Sequence, residues 1–230
     1  MARTHRALAA LISYPTEALQ AAAGEIATVL AEEDLVPASR RAAINDLLAE
    51  LAGRDIYDLQ ERYFALFDRS RTLSLHLFEH VHGESRDRGQ AMADLIELYR
   101  GHGLEPAAGE LPDFVPLFLE FISLLPDDEA RALLTEPAGI FQALAERLAA
   151  RNSAYAAVFQ ALAAMANAPP VSRPDIATDI GQDDPDDLSA LDAVWEEAAV
   201  HFGPGEQTNG CGTDRLRTRL RAATRDAAAP

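Results

Sequence analysis

The chain has 230 residues, 48% of them hydrophobic and 25% charged, and 37 acidic against 20 basic side chains give a net charge of −17. Every basic residue is Arg, so the surface lacks the dense positive charge that general nucleic-acid or anionic-membrane binding requires. A single cysteine, Cys211, excludes an intramolecular disulfide and suits a reducing compartment. Negative charge on this scale maintains solubility and also favours a basic partner.

The N-terminus, through ALAALIS, imitates a signal peptide only faintly. Its apolar run is too short, and Pro15 and Glu17 interrupt it. No stretch approaches the roughly 20 apolar residues of a membrane span. The expected location is the cytoplasm, with no direct membrane insertion.

Helical periodicity dominates the chain. Leu8, Leu11 and Ile12 share one face until Tyr14-Pro15 stops the run, because the residue before proline is pushed out of the αR region. Thr16 is placed to cap a second helix whose Leu19, Ala22, Ala23, Ile26, Val29 and Leu30 form one stripe. Pro37 starts a third, with Ile44, Leu47, Leu48 and Leu51 inward and Gly53 as the stop. Asp55 starts a fourth, with Ile56, Leu59, Tyr63, Leu66 and Phe67 on one face. The spacing predicts a fifth over Arg86 to Tyr99, with Met92, Leu95, Ile96 and Tyr99 inward.

Leu111 to Leu125 is apolar nearly all round and reads as a central bundle helix, capped by Asp113 with Pro116 in its first turn. Asp127 is placed to cap a segment over Glu129 to Glu136, and Pro137 and Ser153 mark the next starts. No alternating strand pattern occurs. The fold class is all-α: a single-domain helical bundle over 1–167, with a partly disordered C-terminal tail.

Residues 168–187, rich in Pro and Asp, read as an acidic linker. In the tail, 188–230, Leu188, Leu191, Trp195, Ala198 and Phe202 make one short amphipathic helix with no core of its own. An exposed stripe with Trp is an association risk. The tail is therefore expected to fold back onto the bundle, either as core cover or across a peptide groove.

Chemistry concentrates between Phe67 and Met92, which holds His76, His80 and His82 beside Arg69, Arg71, Arg86 and Arg88 and the acids Asp68, Glu79, Glu84 and Asp87. His76-Leu77-Phe78-Glu79-His80 spells H-x-x-E-H, a zinc pattern if a helix brings both histidines to one face. One reading is thus a metal-binding protein or zinc hydrolase using His76, His80 and His82. Gly83 follows at once, so a long helix carrying the pair is not assured. The alternative is a set of histidines and ion pairs that fix a loop between helices and present a recognition surface. Gly83 and Gly89 do not match a phosphate-binding loop, and no serine has nucleophile-elbow context.

The run from Leu66 through His76-Leu77-Phe78-Glu79-His80-Val81-His82-Gly83-Glu84-Ser85-Arg86-Asp87-Arg88-Gly89 to Met92 resembles the signature of the nitrate reductase molybdenum-cofactor assembly chaperones, the NarJ or delta-subunit type. The likeness continues through Gly103-Leu104-Glu105-Pro106, Glu110 to Glu120, Trp195-Glu196-Glu197 and His201-Phe202-Gly203, covering roughly residues 5 to 205. It implies an all-α, non-catalytic, cytoplasmic chaperone without a cofactor of its own. Its implied partner is the catalytic (alpha) subunit of nitrate reductase in its apo form. That subunit would be bound in part through its N-terminal segment and kept competent for cofactor insertion before membrane docking. A homodimer is left open.

The Pro-x-Asp-His element of related chaperones falls at Pro112-Asp113-Phe114, where Phe replaces His; Asp113 carries over, the His role does not. The expected client-binding residues are His76, Phe78, Glu79, His80, His82, Glu84, Arg86, Asp113 and Phe114. A basic amphipathic client segment would lie in a groove lined by Leu75, Phe78, Phe114 and Phe118 and meet Glu79, Glu84 and Asp113.

Overall fold

A computed structural model describes residues 2–81, 86–107 and 109–166, with only the backbone of Arg86 and Asp87. The linker and tail assigned to 168–230 lie outside the described residues. Within them, Leu8, Leu11 and Ile12 are fully buried around helix α1 (Arg3–Leu11). No side chain of its own caps α1. Glu33, at the far end of α2 (Glu17–Glu33), instead accepts the Arg3 and Thr4 backbone N–H groups at 2.9 and 2.7 Å and the Thr4 hydroxyl at 2.8 Å. One carboxylate thereby satisfies donors that a helix start leaves open.

Thr16 caps α2 as its sequence position indicates, its hydroxyl accepting the Leu19 N–H at 3.1 Å. Asp34 ends that helix in the left-handed region at φ 51°, which short polar side chains tolerate. Pro37 precedes α3 (Ala38–Gly53), and Asp55 caps α4 (Ile56–Tyr63) by accepting the Tyr57 N–H at 2.8 Å. The four apolar positions expected to face inward on α3 are all buried.

α4 continues into a π-helical turn over Phe64–Asp68. There Tyr63, Phe67 and Tyr155 pack ring against ring at 4.8 to 6.3 Å. The Tyr63 hydroxyl donates to the Ile12 carbonyl at 3.0 Å, tying this turn to the end of α1. After it the chain runs irregularly through two single 3-10 turns, Arg71–Leu73 and Leu77–Glu79, before α5 (Arg86–Gly101).

The remaining elements are α6 (Val115–Ser123), α7 (Asp127–Thr135), α8 (Ala138–Ala150) and α9 (Ala156–Met165). The closest helix pairs are α8 with α9, α1 with α6, and α2 with α3. The core lies between them, with Phe141, Phe159 and Leu119 fully buried. No strand occurs among the described residues, and the sole bridge joins His76 to Phe114. The all-α class follows directly. Among the described residues no helix is long and apolar enough to cross a membrane.

Three local expectations are corrected. α6 is shorter than the apolar run around it, and Leu111 and Leu124 at its flanks are 45% and 43% exposed. Asp127 lies inside α7 rather than at its cap, because Pro126 takes the preceding position and presets the helix start. Among the described side chains of α5 only Tyr99 is fully buried, while Met92, Leu95 and Ile96 are half-buried. Its hydroxyl donates to the Pro112 carbonyl at 2.7 Å and its ring packs on Phe121 at 4.5 Å, so α5 is anchored through its C-terminal end.

Candidate recognition site

The segment from Ser70 to Val81 alternates buried and half-exposed positions. Thr72, Leu73, Ser74, Leu75, Leu77 and His80 turn inward, His76, Phe78 and Glu79 are half-buried, and Val81 is 59% exposed. The two 3-10 turns satisfy only some of this backbone's polar groups, and the others need partners brought by side chains or tertiary structure. The Ser70 and Thr72 hydroxyls bond each other at 2.6 Å, and the His76 N–H donates to the Ser74 hydroxyl at 3.2 Å.

Asp113 supplies the main attachment. It is completely buried, and its carboxylate accepts the Phe78 backbone N–H and the His76 ring Nδ1–H, both at 3.1 Å. Backbone bonds run beside it, from Leu77 N–H to the Asp113 carbonyl at 3.0 Å and from Val115 N–H to the Leu75 carbonyl at 2.8 Å. A buried carboxylate is tolerable only when hydrogen-bonded in this way. The capping role expected for Asp113 is therefore not observed: Phe114 holds the N-cap position of α6 with no side-chain cap, and the Asp113 carboxylate is bonded to the 3-10 turn instead.

His80 is equally interior. Its ring Nε2 lies 2.8 Å from the Ser74 carbonyl, so that nitrogen carries the proton and donates. Burial pushes the His80 pKa below its ordinary value, and the nearby Arg147 pushes the same way, leaving a neutral imidazole. Arg147, from α8, donates to the Thr72 carbonyl at 2.8 Å.

The outward side is different in character. The His76 ring lies 5.4 Å from that of Phe114, with Phe78 and Phe114 both half-buried. Glu79 pairs loosely with Arg88 at 3.5 Å. This leaves a mixed apolar and acidic surface at the junction of the segment with α6. Leu75 and Phe118, expected to line a groove, are each only 4% exposed and belong to the core. Asp113 is likewise out of reach of a basic client, since its two oxygens are used inside.

The metal pattern is not assembled. His76 precedes a single 3-10 turn instead of sitting on an α-helix, and the two rings have separate partners, Asp113 and the Ser74 carbonyl. Among the described residues no group of three or more His, Cys, Asp or Glu could hold a metal ion. His82 and Glu84 lie outside the described residues, as does the Arg86 side chain. Sequence reading missed Arg147 and Glu33, which act at separations of 75 and 29 residues, where no local pattern can signal a contact.

These features define a helical domain with a fixed, partly apolar surface segment over Ser70 to Val81. A profile of the nitrate reductase delta subunit family matches residues 16–161. The chain is 42% identical to the nitrate reductase molybdenum cofactor assembly chaperone NarJ of Escherichia coli K12, across 92% of this chain and 88% of that protein. It is 39% identical to the probable assembly chaperone NarW of the same strain, across 95% and 91% of the two chains. The probable NarJ of Bacillus subtilis is 29% identical across 70% of this chain and 86% of its own. The chain belongs to the nitrate reductase delta subunit family, whose role is assembly and not catalysis.

Proposed function

We propose that this chain is a dedicated chaperone that binds the apo catalytic subunit of a respiratory nitrate reductase, in part through its N-terminal segment. It keeps that subunit competent for molybdenum-cofactor insertion until the enzyme docks on its membrane partner. The chaperone acts in the cytoplasm through the bundle formed by residues 1–167. The observation that carries this reading is the 42% identity to an assembly chaperone along 92% of the chain.

The proposed client-binding residues are the half-buried His76, Phe78, Glu79 and Phe114, together with His82, Glu84 and Arg86, whose side chains lie outside the described part of the structure. His80 and Asp113 hold that surface from within. An apolar client face packs on Phe78 and Phe114, and basic client residues are drawn by the −17 charge. The test is co-purification with the catalytic subunit from cells unable to make molybdenum cofactor. A stoichiometric complex is expected there, and recovery of the chaperone alone from such cells would overturn the reading.

A further inference from the structure

We infer that Arg147 is a positioning residue for client recognition: its guanidinium, reaching from α8, holds the 72–80 segment in the shape that presents His76, Phe78 and Glu79. This inference rests on the client reading above.

Two backbone carbonyls two residues apart, those of Thr72 and Ser74, are each held at 2.8 Å by a side chain from the interior, Arg147 and His80 respectively. Between them Leu73 is fully buried, so this stretch is fixed to the bundle by its backbone as well as by packing. Thr72 is itself buried, and without the guanidinium its carbonyl would lose the bond that satisfies it.

The choice of residue is informative. Arg147 is partly buried and makes no ion pair among the described residues, and the cost of desolvation pulls its pKa down. A charge taken partly from water, favoured by the adjacent Glu146 but opposed by Arg151 and with no ion pair among the described residues, is unfavourable for stability, and an apolar side chain of similar length would pack at less cost. What an apolar chain cannot do is bind the Thr72 carbonyl. The geometry therefore fits a role in shaping the segment better than a role in strengthening the core.

Arg147 also acts on His80. Among the described residues, the ring is bonded to the Ser74 carbonyl, and its charge is influenced by Arg147 from α8, Glu79 of the same segment and Asp113 from the loop before α6. Arg147 opposes protonation, and the two carboxylates favour it. Removing the cation takes away one of the two influences that oppose protonation, burial being the other and the larger, so the ring takes up a proton more easily than in the parent.

The test uses the full chain carrying Arg147→Met or Arg147→Lys, with a synthetic peptide of the catalytic subunit's N-terminal segment as probe. Calorimetry, amide exchange and a proton NMR titration of His80 are read on each protein. In the Met variant peptide affinity should fall roughly tenfold or more, the scale of one lost charge-assisted hydrogen bond. Exchange over 72–80 should accelerate while α1 to α3 keep their protection, and the His80 midpoint should rise. In the Lys variant, which keeps the charge, the His80 midpoint should return towards that of the parent. A folded Met variant that binds as the parent does overturns the inference, as does exchange that accelerates equally throughout the bundle. If the parent itself gives no heat with the peptide, the client reading falls instead, and with it the role assigned to Arg147.

Discussion

The Asp113 carboxylate receives the Phe78 backbone N–H at 3.1 Å, so a wholly buried acid in the loop before α6 fixes the position of a half-exposed aromatic 35 residues earlier. Its second oxygen holds the His76 ring at 3.1 Å. Two residues of the proposed client surface therefore depend on one interior group.

Replacing that acid should uncouple the segment from α6. Asp113→Ala leaves the part-buried Phe78 N–H and His76 ring without their acceptor and should cost about 1–3 kcal/mol, the range for an unsatisfied donor. Asp113→Asn keeps an acceptor oxygen for Phe78 and should lose less. Urea unfolding of both variants measures this, and a midpoint for Asp113→Ala equal to that of the parent would refute the account.

Phe78 and Leu75 are three residues apart but should behave oppositely. Phe78→Ala, at the half-buried surface, should weaken client-peptide binding roughly tenfold or more with a smaller loss of stability. Leu75→Ala, in the core, should lose about 2–5 kcal/mol. Calorimetry beside urea unfolding separates the two. Comparable binding losses without any stability difference would mean that the burial pattern does not divide client surface from support. Binding should also weaken as salt rises, because the encounter sets a basic peptide against a −17 chain.

Acidification should destabilise the fold through its buried histidines. Burial lowers the folded-state pKa of His80, and of His5 in α1, below the ordinary 6.5. The unfolded chain then takes up protons first, so their contribution is full above about pH 6.5 and is lost as pH falls from there through the folded-state values. Unfolding free energy measured stepwise from about pH 8 to 5 should decline over the acid half of that range. His80→Gln, whose side-chain amide can still donate to the Ser74 carbonyl, should show a shallower decline. An identical slope would assign the effect to other groups.

Glu33 predicts a local effect at the start of α1. Its carboxylate accepts from the Arg3 and Thr4 backbones and the Thr4 hydroxyl, at 2.9, 2.7 and 2.8 Å. Glu33→Ala should cost about 1–2 kcal/mol, as for loss of a helix cap. Amide exchange should rise first in α1. Unchanged protection there would show that the cap contributes nothing to that helix.

Much of the fold was legible because its signals are local. The stripes of α2 and α3, the Thr16 and Asp55 caps and the Pro37 start depend on residues within a few positions of one another. The site was less legible. Asp113 in front of an apolar run looks like an N-cap, yet its carboxylate is used by the chain near position 78. His76 and His80 look like a helical pair, yet the backbone between them makes only a single 3-10 turn.

The sequence by itself determined that this protein is an acidic, all-α bundle whose distinctive chemistry lies between Phe67 and Met92, since composition and helical period are properties of neighbouring residues. Only the tertiary structure decided which of those residues face outward. The Thr72 and Ser74 carbonyls and the Phe78 N–H are not satisfied by the short turns they sit in, and Arg147, His80 and Asp113 hold them. For Arg147 and Asp113 those partners lie 75 and 35 residues away, and which side chains will meet across such distances is set only when the helices pack.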